Sequence, residues 1–167
     1  ANGATVGLNG ATITADTTNS TTDNSMVLTT VSGAASTVES GTITNTYGTI
    51  TANMSGTGTN SSDALTADDV TVNITAGGGI HDLITATDDI TITAANTAAL
   101  AFTSLDSGAL AASSITATPT GSAAFSIAGV VASAGALTVD GSGASSTVEV
   151  VGTAWTGIAT LTGGPAA

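Results

Sequence analysis

Short runs in which apolar and polar residues alternate recur along almost the whole chain. Thr, Val and Ile fill these runs, and Gly and Asn separate them. Alternation with a period of two is typical of β-strands, and Gly and Asn are typical turn residues. The clearest predicted strands are Ala11–Ala15, Gly41–Asn45, Gly48–Asn53, Val70–Thr75, Ile90–Ala94, Ser113–Ala117, Ala136–Val139, Thr147–Val151 and Ile158–Thr162.

These predicted strands follow one another at short intervals, with turn residues between them. Such spacing is typical of all-β proteins. The sequence therefore predicts an all-β fold, either a β-sandwich or a β-solenoid built from short Thr/Val/Ile strands with Gly/Asn turns. One segment, Thr97–Leu105, is rich in Ala and could form a short helix instead. We expect residues 1–167 to be one all-β domain, or a segment of a larger extracellular protein, with a weak boundary near residues 55–63.

Two internal repeats bear on the architecture. Ser32–Glu39 reads SGAASTVE and Ser142–Glu149 reads SGASSTVE, which suggests duplication. Asp68–Val72 reads DDVTV and Asp88–Ile92 reads DDITI, at a spacing of 20 residues that fits one coil of a solenoid. The first spacing, 110 residues, is not a whole number of 20-residue steps. A uniform coil is therefore not predicted.

The charge balance excludes several partners. The chain has no Lys or Arg and 12 Asp plus Glu residues, for a net charge of −12. Binding to nucleic acid and to anionic membrane surfaces depends on basic side chains, so neither partner is expected. No run approaches the 18 or so apolar residues of a membrane-spanning helix, so we expect no membrane insertion. The absence of Cys excludes disulfides and thiolate metal sites.

Acidic residues crowd the middle of the chain, where seven of the ten Asp lie between Asp63 and Asp106. If Asp pairs stack on coils about 4.8 Å apart, each like-charge contact costs roughly 1 kcal/mol in water and about 3.5 kcal/mol at a dielectric of 20. Calcium is the cation that could offset this cost, and it prefers carboxylate oxygens. Adjacent strand residues point to opposite faces, so at most one Asp of each pair would serve a given ion. The candidate ligands are Asp68, Asp69, Asp88 and Asp89.

A glycine-led segment matches most positions of a known nonapeptide repeat. Gly77–Thr85 reads GGGIHDLIT, close to the nonapeptide GGxGxDxUx, with Ile80 where the third glycine belongs. Leu161–Ala167, LTGGPAA, looks like the opening of another such repeat. The chain thus resembles β-rich portions of RTX-type surface-layer proteins and adhesins exported by type I secretion. The resemblance implies a secreted, calcium-binding segment and adds Asp82 to the candidate ligands. The competing interpretation is that all five Asp residues are solvated turn residues.

Catalytic constellations are not evident in the sequence. His81 is the only histidine, and beside a glycine-rich turn we interpret it as a solvated side chain rather than part of a triad. Nothing resembles a nucleophile elbow. With only four aromatic residues, the chain lacks the usual platforms for stacking sugars. We therefore predict that it is not an enzyme.

Two functional hypotheses follow. The first is a structural, secreted subunit at the cell surface that self-associates, with calcium, into a surface layer or filament. Its strands lack the Lys residues that normally protect free edges from pairing. The alternative is a binding module, either an adhesin for a cell-surface glycan or an ice-binding solenoid that presents Thr ladders. Thr-x-Thr at matching positions on successive coils would support the ice-binding alternative, and in the sequence only Thr71 and Thr91 fit this pattern.

Overall fold

The computed structural model describes residues 5–7, 12–14, 24–34, 36–108, 113–130, 135–152 and 157–163. All regular elements in these ranges are β-strands, and no helix within them is long and apolar enough to cross a membrane. The strands are β1 (Thr5–Gly7), β2 (Thr12–Thr14), β3 (Asn24–Ser32), β4 (Thr37–Ser40), β5 (Thr42–Gly56), β6 (Thr59–Ile74), β7 (Gly79–Ala86), β8 (Asp89–Ala94), β9 (Leu100–Ser107), β10 (Ser114–Pro119), β11 (Phe125–Val130), β12 (Ala136–Asp140), β13 (Val148–Gly152) and β14 (Ile158–Thr162).

The strands stack as the coils of a β-solenoid. Every named strand pair in the described ranges is parallel, and a strand pairs with strands one coil earlier and one coil later. Thus β8 follows β7 in the chain, but β8 pairs with β6 and β10, whereas β7 pairs with β6 and β9. Strands on both sides of residues 55–63 belong to this one stack. The structure confirms the all-β prediction and selects the solenoid from the two predicted architectures.

Each coil has three sides. Along β6, buried and outward residues alternate, but two successive residues point outward at 63–64 and again at 68–69. Because side chains of a regular strand alternate between its faces, two successive outward residues mark a bend. In β6 the first side is residues 59–62, the second 65–67 and the third 70–74. The same names apply to the residues that pair with these segments in other coils.

Columns of apolar side chains fill the interior of the stack. On the third side, every second residue points inward and stacks on the equivalent residue of the next coil, as Ile90 does on Val70. On the first side, the rings of Phe102 and Phe125 lie 5.7 Å apart. Full burial of each large side chain contributes about 1.5–3 kcal/mol, so the inward columns supply most of the stabilisation. The structure confirms the strands predicted on the third side, and their regular alternation of apolar and polar residues is what made them predictable.

The alternative of a short helix over Thr97–Leu105 is not what the structure shows. β9 begins at Leu100 and pairs with β7 on one edge and β11 on the other. Leu100 and Phe102 alternate inward and are buried. Pairing on both edges overrides the helix propensity of an Ala-rich segment, which is a weak preference by comparison.

The two repeats mark equivalent positions in different coils. Ile90 lies 20 residues after its partner Val70, so the 20-residue spacing is one coil. Ile90 also pairs with Ile115, 25 residues later, so the coils differ in length. This variation explains the 110-residue spacing: Val38 and Val148 occupy one inward column, five coils apart. The column runs through Asn60, Gly79, Leu100 and Phe125.

Candidate functional site

Four of the five predicted calcium ligands lie together at the bend between the second and third sides. Asp68 and Asp69 occupy this bend in one coil, and Asp88 and Asp89 occupy it in the next. The Asp88 amide donates to the Asp68 carbonyl at 2.9 Å, and the Asp89 amide donates to Asp69 Oδ1 at 3.1 Å. We call these four residues the Asp corner. Its two Asp pairs are stacked directly on one another.

The prediction that adjacent Asp residues point to opposite faces is wrong at this corner. Asp68 is exposed and Asp69 is half-buried, while Ala67 and Val70 on either side are buried. Both carboxylates of the pair therefore point outward, because the pair lies at a bend rather than within a straight strand. This geometry brings more negative charge to one edge than a straight strand would.

Within the Asp corner, hydrogen bonds engage Asp68 and Asp89, and charge crowding shifts the pKa of Asp88. Thr87 Oγ1 donates to Asp68 Oδ1, and the amide and hydroxyl of Ser114 both donate to Asp89 Oδ1 at 2.8 Å. The carboxylate of Asp89 raises the pKa of Asp88, with smaller contributions from desolvation and from the other two Asp residues. The crowding predicted from the sequence is therefore present at Asp88.

A complete metal-binding set is not evident in the described ranges. They contain no group of three or more His, Cys, Asp or Glu side chains arranged to hold an ion. Asp82 lies apart from the Asp corner, on β7, where it accepts a hydrogen bond from Thr103 Oγ1 at 3.4 Å. Calcium binding at the Asp corner therefore stays a prediction.

Replacing Asp88 with Asn is expected to raise the melting temperature, Tm, at pH 7 in buffer with a chelator. Folding raises the pKa of Asp88, so its ionised form destabilises the folded state above that pKa, and this penalty disappears below the unfolded value of 3.8. Wild type and variant should therefore melt alike near about pH 3. Calcium should raise the Tm of the wild type and of an Asp82→Asn control more than that of Asp88→Asn. Equal shifts in all three proteins would contradict calcium binding at the Asp corner.

The glycine-rich segment that resembles a calcium-binding repeat forms the turn into the first side of a coil. Gly77 has a φ of 76°, and a Cβ there would lie 2.5 Å from the carbonyl oxygen of Gly58 in the preceding coil. The Gly77 amide donates to Thr97 Oγ1 in the following coil at 2.9 Å. Close contact between coils therefore accounts for a glycine at this position. The second glycine-led segment, Leu161–Ala167, is described only as far as Gly163, and the rest lies outside the described residues.

The interpretation of His81 as a solvated side chain is wrong. Its exposed fraction is 0%, and its ring stacks on Phe102 at 5.1 Å between ring centres. Ser62 Oγ lies within hydrogen-bonding distance of Nδ1, at 2.9 Å, whereas Nε2 has no partner among the described residues. Burial lowers the pKa of His81 to about 4. The apolar neighbour Ile80 points outward instead, because the strand alternation places position 81 in the inward column.

Outward Thr residues form a continuous column on the third side, which we call the Thr column. The pairs of Thr71 with Thr91 and of Thr91 with Thr116 show its central part. No hydrogen bond within the described part of the chain engages the hydroxyl groups of this column. The expectation that only Thr71 and Thr91 occupy matching positions on successive coils is wrong, because four further Thr residues align with them. The column consists of Thr51, Thr71, Thr91, Thr116, Thr138 and Thr160.

A second outward column lies beside the Thr column, two residues further along each strand. Asn73 Nδ2 donates to Asn53 Oδ1 at 3.0 Å, and Thr93 Oγ1 donates to Asn73 Oδ1 at 2.7 Å. These bonds hold neighbouring coils in register and fix the side chains. This Asn/Thr column consists of Thr29, Asn53, Asn73, Thr93 and Thr118.

Unequal coil lengths concealed the Thr column in the sequence. A search at 20-residue steps finds Thr51, Thr71 and Thr91 but misses Thr116, because the coil between Thr91 and Thr116 is 25 residues long. The signal that could have found it is the Thr-x-Thr tripeptide itself. Thr91–Thr93, Thr116–Thr118 and Thr160–Thr162 each begin in the Thr column.

Comparisons with protein-family models, with curated proteins and with solved structures find no match for this chain.

Proposed function

We propose that the chain is a binding module whose third side attaches to ice. The observation that carries the proposal is the uninterrupted Thr column. Each of six successive coils has a Thr at this outward position. Each Thr presents one hydroxyl, which can both donate and accept, and one methyl group. The third side therefore offers the same pair of groups at a regular repeat. An extracellular location is part of this proposal.

The spacing of the two outward columns suits a crystalline ligand. Coils repeat at about 4.8 Å along a column, and residues two apart on a strand are about 6.6 Å apart across the columns. Six coils extend the array over roughly 24 Å. Ice presents water oxygens in rows, and each water can donate and accept hydrogen bonds. A row of unengaged hydroxyls at a regular repeat can therefore take the place of a row of lattice waters.

The side chains of the Thr column are held rigid before the third side binds ice. Buried apolar residues lie on both sides of the first five Thr residues of the column along the strand, as Ile90 and Ile92 do for Thr91. The neighbours of the sixth, Thr160, are exposed. Thr is branched at Cβ, which restricts its χ1 angle. Binding then requires little further loss of side-chain entropy, and this preorganisation favours attachment to a repeating surface.

The chemistry of the third side favours ice over a glycan. Glycan recognition usually relies on aromatic rings, which offer a flat apolar face. No aromatic residue lies on the described third side, where most outward positions in the central coils are Thr, Asn or Ser. Asp69 and Asp89 lie two residues before the Thr column, and Asp140 lies two residues after it, in line with the Asn/Thr column, so no Asp lies in the Thr column itself. The central stretch is therefore uncharged, as expected for contact with a neutral lattice.

Replacing Thr116 with Lys is expected to abolish most of the binding to ice. A long charged side chain at the centre of the array keeps the neighbouring hydroxyls from the crystal. Thermal hysteresis and inhibition of ice recrystallisation should both fall by about tenfold or more at equal protein concentration. Thr103→Lys is the matched control, because Thr103 is an exposed Thr outside the third side.

Three results would overturn the proposal. The wild type could fail to slow ice growth, or Thr116→Lys could act as well as the wild type while circular dichroism shows both folded. Binding to cellulose or chitin particles without any effect on ice would instead indicate a glycan-binding adhesin.

A further inference from the structure

Two carboxylates of the Asp corner accept hydrogen bonds from the next coil at the entry to the third side. Asp69 Oδ1 accepts from the amide of Asp89 at 3.1 Å. Asp89 Oδ1 accepts from both the amide and the hydroxyl of Ser114, each at 2.8 Å. Both accepting residues are half-buried, whereas Asp88 is exposed. Asp69 and Asp89 therefore tie the first residues of β8 and β10 to the coil before each of them.

The next coil makes the equivalent bond with its backbone. Ala136 begins β12 and pairs with Ser114, as Ser114 pairs with Asp89 one coil earlier. The Ala136 amide donates to the Ser113 carbonyl at 3.1 Å, and a carbonyl is the usual acceptor in a parallel ladder. A hydrogen bond to a carboxylate is roughly twice as strong as one between neutral groups. β8 and β10 are therefore held at their first residue by stronger bonds than β12.

These stronger bonds lie beside the centre of the Thr column. Asp89 lies two residues before Thr91 in β8. Ser114 lies two residues before Thr116 in β10. The residue between them in each strand is a buried Ile, so the bonded residue and the Thr point outward together, about 6.6 Å apart. A bond that fixes the first residue of the strand therefore also restricts the Thr that follows it.

Unequal coil lengths make such a bond necessary. The coil that leads from Asp89 to Ser114 is 25 residues long, against 20 for the coil that leads from Asp69 to Asp89. Equal chain length cannot align the Thr residues across both steps. Contacts between the coils must therefore set the alignment, and the carboxylate bonds are contacts of this kind at both steps.

We infer that Asp69 and Asp89 are positioning residues for the ice-binding surface. Each carboxylate fixes the first residue of the next third-side strand, and thereby holds Thr91 and Thr116 in line in the Thr column. This role rests on the proposed binding of ice. It also gives the two half-buried carboxylates of the Asp corner a function that does not require calcium.

Replacing Asp89 with Ala is expected to weaken ice binding, because the Ser114 amide and hydroxyl lose their shared acceptor. Thermal hysteresis should fall about threefold or more at equal protein concentration. Asp89→Asn keeps an oxygen in place of Oδ1 and should retain most of the wild-type hysteresis. Asp88→Ala is the matched control, because it removes a negative charge from the same corner and no described residue donates to the Asp88 carboxylate. A chelator is present throughout, so that calcium cannot replace the lost bonds.

Two NMR measurements test the positioning without ice. The Ser114 amide should exchange with solvent about tenfold faster in Asp89→Ala than in the wild type. The three-bond couplings that report χ1 of Thr116 should change from values for one rotamer to averaged values. Asp89→Asn and Asp88→Ala should keep the wild-type exchange rate and couplings. If Asp89→Ala does not fold, Ser114→Ala removes one of the two donors and should change the Thr116 couplings in the same direction by less.

Unchanged exchange and couplings in folded Asp89→Ala would overturn the inference, whether or not the protein binds ice. Equal effects of Asp88→Ala and Asp89→Ala would overturn it too, as would an Asp89→Asn variant as impaired as Asp89→Ala. A wild type that does not slow ice growth would refute the proposed function instead. The NMR measurements would then still decide whether Asp89 holds Thr116 in line.

Discussion

Between pH 7 and pH 4 the chain is expected to lose roughly 3 kcal/mol of folding free energy through His81 alone. Burial lowers the pKa of His81 from 6.5 to about 4. Between these two values the unfolded chain binds a proton that the folded chain excludes. The contribution of neutral His81 to stability is therefore complete above about pH 6.5 and is lost as the pH falls toward 4.

The surroundings of His81 explain why its protonation is so unfavourable. One ring face packs on Phe102, and Nδ1 lies beside Ser62 Oγ. Protonation would place a charged N–H at Nε2, which is buried and has no partner among the described residues. A buried charge without a partner costs several kcal/mol, so the folded state excludes the proton.

Urea unfolding at steps between pH 7 and pH 4 measures this effect. The control is the double variant Ser62→Ala/His81→Phe, in which an aromatic ring keeps the stack on Phe102 and no hydroxyl is left unpaired. Asp88 and Asp140 titrate in both proteins, so their contributions cancel in the difference. The stability of the wild type relative to the variant should fall by roughly 3 kcal/mol across this range. A difference that does not change with pH would show that His81 is not buried as described.

The sequence predicted the third side of the solenoid well and the first side poorly. On the third side, strict alternation of Ile and Val with Thr gives each strand an unambiguous inward face, as in Ile90–Ala94. On the first side, β7 places Gly79 and His81 inward and Ile80 outward, which reverses the usual polarity. Such positions depend on the residues stacked above and below them, Ser62 and Phe102 for His81. One sequence read alone does not show which residues those are.

A candidate surface could be predicted from the sequence only where successive coils have the same length. The Asp corner could be predicted because Asp68 and Asp88 lie one 20-residue coil apart. The Thr column could not, because Thr91 and Thr116 are separated by a coil of 25 residues. Most of the additional residues fall in the sequence between β9 and β10, and the pairing of β8 with β10 on the third side is continuous. Register across coils is set by backbone pairing and inward packing, and the length of a bend leaves both unchanged.

Replacing Gly56 with Ala is expected to destabilise the first coils by more than about 3 kcal/mol. Gly56 has a φ of 96°, a conformation that residues with a Cβ rarely adopt. A Cβ there would also lie 1.9 Å from the carbonyl oxygen of Ser32 and 2.8 Å from its carbonyl carbon and amide nitrogen. These are backbone atoms of the paired strand β3, so relief requires β3 and β5 to separate at this point.

Gly163→Ala is the matched control, because a Cβ at Gly163 meets nothing within 4 Å. Coils of a solenoid contact only their neighbours, so the damage should be local. Hydrogen exchange should show that the β3 amides lose most of their protection in Gly56→Ala, whereas those of β8 and β10 retain it. Thr91 and Thr116 lie in coils that do not contact β3, so this variant should still bind ice. Equal loss of protection in β3 and β10 would contradict this separation of the two ends of the stack.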